Sequence, residues 1–374
     1  MKFGFFNLMP WPGYPEPPRV YPTPNKDYDP IKGQKLYHDY IDLLVHAEAC
    51  GFDWIGCNEH HFSPYGLMPN CNLIGSILTR ETKVSKLAMI GNLLPLSNPI
   101  RVAEEYAMLD VMSGGRLIAG FMRGVPHEYI AYNSPPGESR ARQKEAAQLI
   151  IKCWTEPEPF GWEGEFFQFK SVSIWPRPIQ KPYPTILMSA SNEESAVFAA
   201  ESKAIMAMGL ISDIGVARNN VDIYHETAKS NGWVPDIDHV MMGASTCICE
   251  TDEEAHEVFA QALDYFHGTL MKPTLDALKL VLQAGYFNAQ KAGASYDNRL
   301  DKVTAKKTIQ EMIDAGSIIC GSPESVVKQI KRFRDELGAG RLNMSMQIGD
   351  LPIPVVRKGM DLFRDRVLPH VRDL

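Results

Sequence analysis

The 374-residue sequence has few of the features that mark several protein classes. Its seven cysteines are an odd number and include no CxxC pair, which argues against a disulfide framework and a zinc ribbon and suits a reducing compartment. The formal net charge is −7, whereas proteins that bind nucleic acid usually carry a basic face. No apolar run approaches the roughly 18 residues of a membrane-spanning helix. We therefore expect a cytoplasmic protein that binds neither nucleic acid nor membranes.

Two nucleotide-binding motifs are also missing. No GxGxxG follows the first apolar run, and no GxxxxGK[ST] occurs in the chain. Both motifs bring glycine backbone against phosphate groups. Their absence weakens a dinucleotide-binding fold and a P-loop fold as interpretations.

Short apolar runs alternate along the chain with segments of helical periodicity. Continuous apolar runs are typical of parallel strands that are covered on both faces. Segment 34–50 shows the helical spacing and is followed by Gly51, a common helix terminator. Eight such runs favour a closed (β/α)₈ TIM barrel of the α/β class over an open doubly wound sheet. We expect one barrel domain over 1–374. The eight predicted strands are 2–7, 54–61, 86–95, 116–124, 185–191, 204–210, 239–249 and 341–349.

Three longer segments interrupt the alternation. Segment 10–33, which is rich in proline and aromatics, and segment 269–318 follow the first and seventh strands, so they are insertions at the carboxyl end of the barrel, where barrel enzymes have their active sites. Segment 269–318 is predicted to be either a lid or a fixed subunit contact. The aromatic segment 156–184 precedes the fifth strand, so it belongs mainly to the opposite end and its rings are expected to pack rather than to contact substrate.

Asn58-Glu59-His60-His61 ends the second predicted strand. Because successive strand residues point to opposite sides, Glu59 and His61 share one side and His60 faces the other. No HxH, HExxH or carboxylate cluster accompanies the two histidines. A metal-dependent hydrolase is therefore disfavoured, and no metal site is predicted. A histidine at this end of a barrel strand favours catalysis.

Anion-binding side chains are predicted at the ends of the fourth and fifth strands. Arg123 leaves its strand beside Gly124, and its planar fork suits a phosphate. Ser189 and Asn192 belong to a stretch where a strand ends and a helix begins, and free N–H groups at such a terminus bind anions. Adjacent barrel strands would bring both groups to one rim. A salt bridge at Arg123 and a simple helix cap at Asn192 are the alternatives.

Residues in this order resemble the luciferase-like flavin-dependent monooxygenase family. The resemblance covers almost the whole chain, and it implies a (β/α)₈ barrel, in agreement with the strand count. The matching segments are MKFG at the start, CGFD at 50–53, EHHF at 59–62, NPIRVAEEYAMLDVMSGGR at 98–116, FMRG at 121–124, SAS at 189–191, GSPES at 321–325 and LPHV at 368–371.

The resemblance implies roles for individual residues. His60 corresponds to the family's catalytic histidine, and Arg123 to an arginine that contacts the flavin phosphate. Ser189 and Asn192 correspond to positions that bind the same phosphate, with Met188 and Ala190 in the same stretch.

The flavin ring has its own predicted contacts. Gly91 and Asn92 correspond to a place under the ring where members often carry a non-prolyl cis peptide. Asn58 or Glu59 is expected at the edge of the ring.

The resemblance also implies a two-component reaction. An NAD(P)H:flavin reductase would supply FMNH₂, and O₂ would add at flavin C4a to give a peroxide or hydroperoxide that oxygenates a small organic substrate. His60 would act as an acid, base or hydrogen-bond partner. A homodimer is expected.

At some positions this sequence differs from those of the light-emitting members of the family. Met188 stands where they carry an acidic residue, and Met122 replaces a cysteine of some of them. Light emission and an aldehyde substrate are therefore not expected. Hydride transfer with the deazaflavin F420 is the closest alternative, although the acidic chain suits its polyglutamate tail poorly. A non-catalytic flavin-binding protein is a further alternative, disfavoured by the retention of His60.

Overall fold

A computed structural model gives the architecture of the protein. It describes residues 1–14, 21–209, 213–274, 277, 281 and 307–374. The described part of the chain contains eleven strands. In chain order they are β1 (Lys2–Asn7), β2 (Trp54–Cys57), β3 (Lys86–Met89), β4 (Leu117–Phe121), β5 (Phe160–Glu163), β6 (Gln168–Val172), β7 (Thr185–Ser189), β8 (Ile205–Met208), β9 (Val240–Ile248), β10 (Ile318–Gly321) and β11 (Arg341–Gln347).

Eight of these strands form a closed parallel barrel. Their order is β1-β2-β3-β4-β7-β8-β9-β11, and β11 pairs with β1 to complete the ring. The predicted (β/α)₈ barrel is therefore confirmed. The nine-residue β9 is long enough to pair with β8, β11 and the additional strand β10 at different points along its length.

Helices connect the barrel strands and cover the sheet. In the described residues they are α1 (Pro30–Ala49), α2 (Cys71–Glu81), α3 (Pro99–Ser113), α4 (Pro126–Ala131), α5 (Ser139–Thr155), α6 (Glu193–Glu201), α7 (Ile214–Ser230), α8 (Asp252–Tyr265), α9 (Ile309–Asp314), α10 (Pro323–Leu337) and α11 (Ile353–Leu362). None of the helices in the described ranges is both long enough and apolar enough to cross a membrane.

The local sequence explains the helix boundaries. Asn98 caps α3 by accepting hydrogen bonds from the backbone N–H groups of Ile100 and Arg101 at 3.0 and 3.3 Å. Pro99 occupies the first turn, where its missing N–H costs nothing. Gly114 ends the helix with a φ of 69°, a conformation that glycine adopts without strain.

Side chains fill the barrel interior near the amino ends of the strands. Trp54 is fully buried, and its Nε1 donates to Asn343 Oδ1 at 3.0 Å. A Cβ on Gly4 would lie 1.9 Å from the indole nitrogen, so this position needs glycine. Because these side chains fill the interior, a site can form at the carboxyl ends of the strands. The apolar interior comprises Trp54, Ala88, Ile118, Leu187, Ile205, Ala207 and Met241.

The inserted segments are described in part. The insertion after β1 is described except for residues 15–20, and its backbone pairs with the loop after β2, where Trp11 N donates to Pro64 O at 2.8 Å. The predicted lid 269–318 lies mostly outside the described residues, at positions 275, 276, 278–280 and 282–306. Segment 156–184 contains the hairpin β5–β6, whose aromatic rings pack against α5.

Candidate functional site

Buried polar atoms gather at the carboxyl ends of β11, β1 and β2. The side chain of Asn58 is 1% exposed, and neither its Oδ1 nor its Nδ2 has a hydrogen-bond partner among the described residues. Gln347 Oε1 and Asn7 Nδ2 also lack a hydrogen-bond partner among the described residues. The two residues are paired in the register of β1 and β11. Each such group costs about 1–3 kcal/mol when it is left unsatisfied. This rim is therefore suited to a polar ligand or to bound water.

His60 forms a hydrogen bond with a buried carboxylate at the barrel mouth. Its Nδ1 lies 3.0 Å from Glu128 Oε1 on α4. The Glu128 side chain is fully buried, and its Oε2 accepts from Val125 N at 2.8 Å. Burial raises the pKa of Glu128, but the hydrogen bond and charge of His60 more than offset this, so the pKa lies below its usual value. The pair is thus a carboxylate-bound histidine of the kind that transfers protons.

Aromatic rings and a second histidine surround this pair. The His60 ring lies 4.6 Å from the Tyr65 ring, and the buried His127 ring lies 4.9 Å from that of Tyr21, which belongs to the insertion after β1. Burial lowers the pKa of His127 to about 4, so its ring is neutral near pH 7. Its Nε2 has no hydrogen-bond partner in the described ranges. The result is an apolar, aromatic enclosure beside the His60 pair.

Glu59 and His61 lie on the other side of the strand end, as the alternation of the sequence predicts. His61 Nε2 is 3.3 Å from Glu59 Oε1, and His61 Nδ1 is 3.1 Å from the Tyr132 hydroxyl. A pocket of about 280 Å³ opens beside them and also contacts Asn92 and Glu105. The predicted contact of Glu59 with a flavin ring stays a prediction.

Arg123 and the end of β7 lie on the same rim. Phe121 of β4 pairs with Met188 of β7, so the chain brings Arg123 alongside the residues that follow Met188. Ser189 is half-buried and Ala190 is fully buried, with Ala190 N donating to Ala207 O at 2.8 Å. The fourth and fifth barrel strands are therefore neighbours, as predicted.

Asn192 is the N-cap of α6. Its Oδ1 accepts from Ser195 N at 3.1 Å and from Arg140 Nη2 at 3.2 Å. Arg140 also pairs with Glu194 at 2.7 Å. The sequence analysis predicted Asn192 at this rim but missed Arg140, whose charge is paired with Glu194 and which donates to the Asn192 side chain. Its position on a helix far along the chain gave no local signal.

Gly91 and Asn92 follow β3. A Cβ on Gly91 would lie 2.6 Å from the carbonyl carbon of Met89, so only glycine fits. The amides of Asn92 and Asn72 exchange hydrogen bonds of 3.0 and 3.1 Å. Every cis peptide bond in the described ranges precedes a proline, so none of them lies at 90–92. The contact of Gly91 and Asn92 with a flavin ring stays a prediction.

The residues present fit a flavin mononucleotide. Arg123, the Ser189 hydroxyl and the N-terminus of α6 form a rim with the donors and positive charge that a phosphate monoester needs. The unsatisfied amide of Asn58 lies at the opposite part of the mouth, where a polar heterocycle could hydrogen-bond to it.

Possible metal ligands occur at a different place. Donor atoms of His46, Cys50 and Asp361 lie within 4.8 Å of one another, on α1 and α11. Arg364 Nη1 already donates to Asp361 Oδ1 at 3.0 Å. This cluster is separate from the barrel mouth and contributes nothing to the candidate site.

The fold and the placement of these side chains define a (β/α)₈-barrel enzyme. A family model described as luciferase-like monooxygenase matches residues 13–340, and the chain belongs to this family.

Individual relatives agree with this membership. The chain is 23% identical to the alkanal monooxygenase alpha chain of Photobacterium leiognathi over 359 residues, which covers 91% of this chain and 95% of that one. Its fold is similar to that of the oxygenating constituent of 3,6-diketocamphane monooxygenase from Pseudomonas putida, solved with FMN, with a TM-score of 0.76, 19% identity and coverage of 99% and 98%. An F420-dependent secondary alcohol dehydrogenase has a TM-score of 0.70 at 16% identity, with coverage of 100% and 99%.

Proposed function

We propose that this protein is the oxygenase component of a two-component flavin-dependent monooxygenase, which binds reduced FMN and uses O₂ to oxygenate a small organic substrate. The observation that carries the proposal is the shared rim of Arg123 and the β7–α6 connection, because it suits a single terminal phosphate. The FMN complex of the structural relative supports the same cofactor. A separate NAD(P)H:flavin reductase would supply the reduced flavin.

Each part of the site has a role in this reaction. Reduced flavin, when bound, supplies the electrons that activate O₂. Arg123, Ser189 and Asn192 bind the phosphate and fix the cofactor in the mouth. The aromatic side chains of Tyr21 and Tyr65 exclude water from the space beside His60. His60 then donates or accepts a proton at one of its ring nitrogens.

The phosphate assignment can be tested at Arg123. Arg123→Ala should weaken binding of reduced FMN by roughly 1.5–3 kcal/mol, about 10- to 100-fold, because charge-assisted hydrogen bonds are lost. Riboflavin, which has no phosphate, should bind the variant and the parent nearly alike. Anaerobic fluorescence titration measures both affinities. Arg218→Ala on α7 is the matched control and should change neither, whereas an equal loss for FMN and riboflavin would contradict the assignment.

The cofactor itself needs a direct comparison. The deazaflavin F420 serves the alcohol dehydrogenase of similar fold, but this chain has a net charge of −7 and suits a polyglutamate tail poorly. Anaerobic titration with FMNH₂ and with F420H₂, followed by exposure to O₂, separates the two. Tighter binding of F420H₂ without oxygen consumption would favour hydride transfer, and binding without turnover would indicate a non-catalytic flavin-binding protein.

We also propose that 1–374 forms one barrel domain and that the protein is a homodimer. The support for a dimer is an apolar surface on α2 and α3, which pack side by side. This surface, called the α2–α3 face below, consists of Leu73, Ile77, Met108, Val111 and Met112.

A further inference from the structure

Glu128 and His60 come from separate parts of the chain and meet in the barrel mouth. They are 68 residues apart in sequence, and the Nδ1 to Oε1 distance is 3.0 Å. A histidine ring has two chemically different nitrogens, and the partner of one nitrogen decides which of them carries the proton. We propose that Glu128 is the positioning residue of His60: it holds the proton on Nδ1 and directs Nε2 to the reacting atoms. This inference rests on the proposed function.

Glu128 itself is held rigidly. Its Oε2 accepts from Val125 N at 2.8 Å, and a Cβ on Gly124 would lie 3.1 Å from the same oxygen. Gly124 has a φ of 87°, which favours glycine. The backbone N–H of Val125 therefore fixes one carboxylate oxygen, and the other lies 3.0 Å from His60 Nδ1. A fixed hydrogen-bond acceptor of this kind selects one tautomer and one orientation of the ring.

The alternative role for Glu128 is to hold α4 in place. A buried carboxylate is strongly unfavourable without a positive partner. His127, its neighbour on α4, has its pKa lowered to about 4 by burial and so offers no positive charge near pH 7. His60 Nδ1, at 3.0 Å, remains as the side-chain donor to this carboxylate. The Glu128 carboxylate therefore binds the His60 ring as well as the backbone of its own helix.

Other titratable groups lie near the pair. His127 adjoins Glu128 on α4, Tyr65 lies against His60 from the loop after β2, and Tyr21 contacts His127 from the insertion. Burial raises the pKa of both tyrosines far above neutrality and lowers the pKa of His127 to about 4. None of these three side chains therefore changes its protonation state near pH 7.

The first test measures the tautomer without turnover. Nitrogen-15 NMR of the ring nitrogens, with His60→Gln used for assignment, should show a proton on Nδ1 of His60 in the intact protein. Glu128→Gln should broaden or change this signal. A wild-type His60 with its proton on Nε2 would overturn the inference whether or not the protein is a monooxygenase.

The second test measures whether Glu128 acts on turnover through His60. Glu128→Gln keeps a carbonyl oxygen for Val125 N, removes the charge and turns an amide N–H toward His60 Nδ1, where it opposes a proton on that nitrogen. It should lower turnover about 10- to 100-fold and leave the affinity for FMN and the KM for substrate unchanged. In a His60→Ala background the same substitution should cause no further loss.

Asp361→Asn is the matched control. Asp361 Oδ1 lies 3.0 Å from His46 Nε2, the same distance, but on α1 and α11 away from the mouth. It should leave turnover unchanged. Additive losses in the double variant, or wild-type turnover in Glu128→Gln, would overturn the positioning role. A wild type that neither binds reduced FMN nor consumes O₂ would instead contradict the proposed function.

Discussion

His127 is a buried histidine whose protonation state couples to folding. Burial lowers its pKa from 6.5 to about 4. Below pH 6.5 the unfolded chain takes up a proton that the folded protein refuses until about pH 4, so acidification across this window favours unfolding. Because one pKa unit corresponds to about 1.4 kcal/mol, this residue lowers the free energy of unfolding by up to about 3 kcal/mol over the window.

His127→Phe removes the titrating group and keeps a planar ring. We expect the free energy of unfolding of this variant to fall less than that of the wild type between pH 7 and pH 4.5. Urea unfolding followed by circular dichroism at both pH values measures the difference. His38→Phe, at an exposed position on α1, should behave like the wild type. Parallel curves for His127→Phe and wild type would show that His127 does not couple to folding.

Sequence analysis could identify residues whose signal is local. His60 and Arg123 each end a predicted strand, so barrel geometry alone placed them at the mouth. Glu128 and Arg140 were missed because their partners lie far along the chain and their own surroundings are ordinary helix sequence. Such pairings arise from packing between loops, which periodicity does not encode.

One carboxylate on α5 binds several groups of the hairpin β5–β6, in addition to the aromatic packing against that helix. Glu145 on α5 accepts from Trp162 Nε1 at 3.1 Å and from the backbone N–H groups of Phe166 and Phe167 at 2.9 Å each. Burial acts to raise its pKa, but these hydrogen bonds more than compensate, and the pKa of Glu145 is lowered. The hairpin thus depends on a side chain outside its own sequence.

Glu145→Ala should release the hairpin. The expected loss is about 1–2 kcal/mol, because three hydrogen bonds to one partly exposed charge are removed together. Chemical unfolding measures the stability, and limited proteolysis should show earlier cleavage within 156–184. Glu163→Ala, an exposed glutamate on β5, is the control and should change neither. Binding of FMN should persist in both variants, because no hairpin residue is among those assigned to the phosphate.

Helix α2 and strand β10 were not predicted from the sequence. Helix α2 contains Gly75 at its centre and exposes Leu73 and Ile77, so its apolar pattern does not follow one face. Strand β10 has only four residues and pairs with the extended end of β9. Both elements depend on tertiary contacts, which override a weak local preference.

The barrel as a whole was predictable because it repeats. Each barrel strand is a short apolar run, and a right-handed parallel connection needs a helix between strands. When eight such strands close into a barrel, the sheet has no exposed edge strand. The repeat is interrupted above all at 10–33 and 269–318. The structure of these insertions could not be predicted, because they have no periodic pattern of apolar residues.

At the scale of the whole molecule, the proposed homodimer would form through the α2–α3 face. Leu73 is 66% exposed, and the other four side chains of the face are at least 40% exposed. A cluster of large apolar side chains on adjacent helices is unfavourable in water and typically marks an interface. In a twofold homodimer the face would meet its own copy, and about 800 Å² buried per subunit is usual for a stable pair.

Leu73→Glu should dissociate this dimer. A glutamate at the twofold interface would lie near its own copy, and both carboxylates would lose hydration on association. Light scattering after size exclusion should give twice the chain mass for the wild type and the single mass for the variant at micromolar concentration. Val234→Glu, at a site that is 85% exposed and follows α7, should remain dimeric. If both variants and the wild type have the same mass, the α2–α3 face is not the interface.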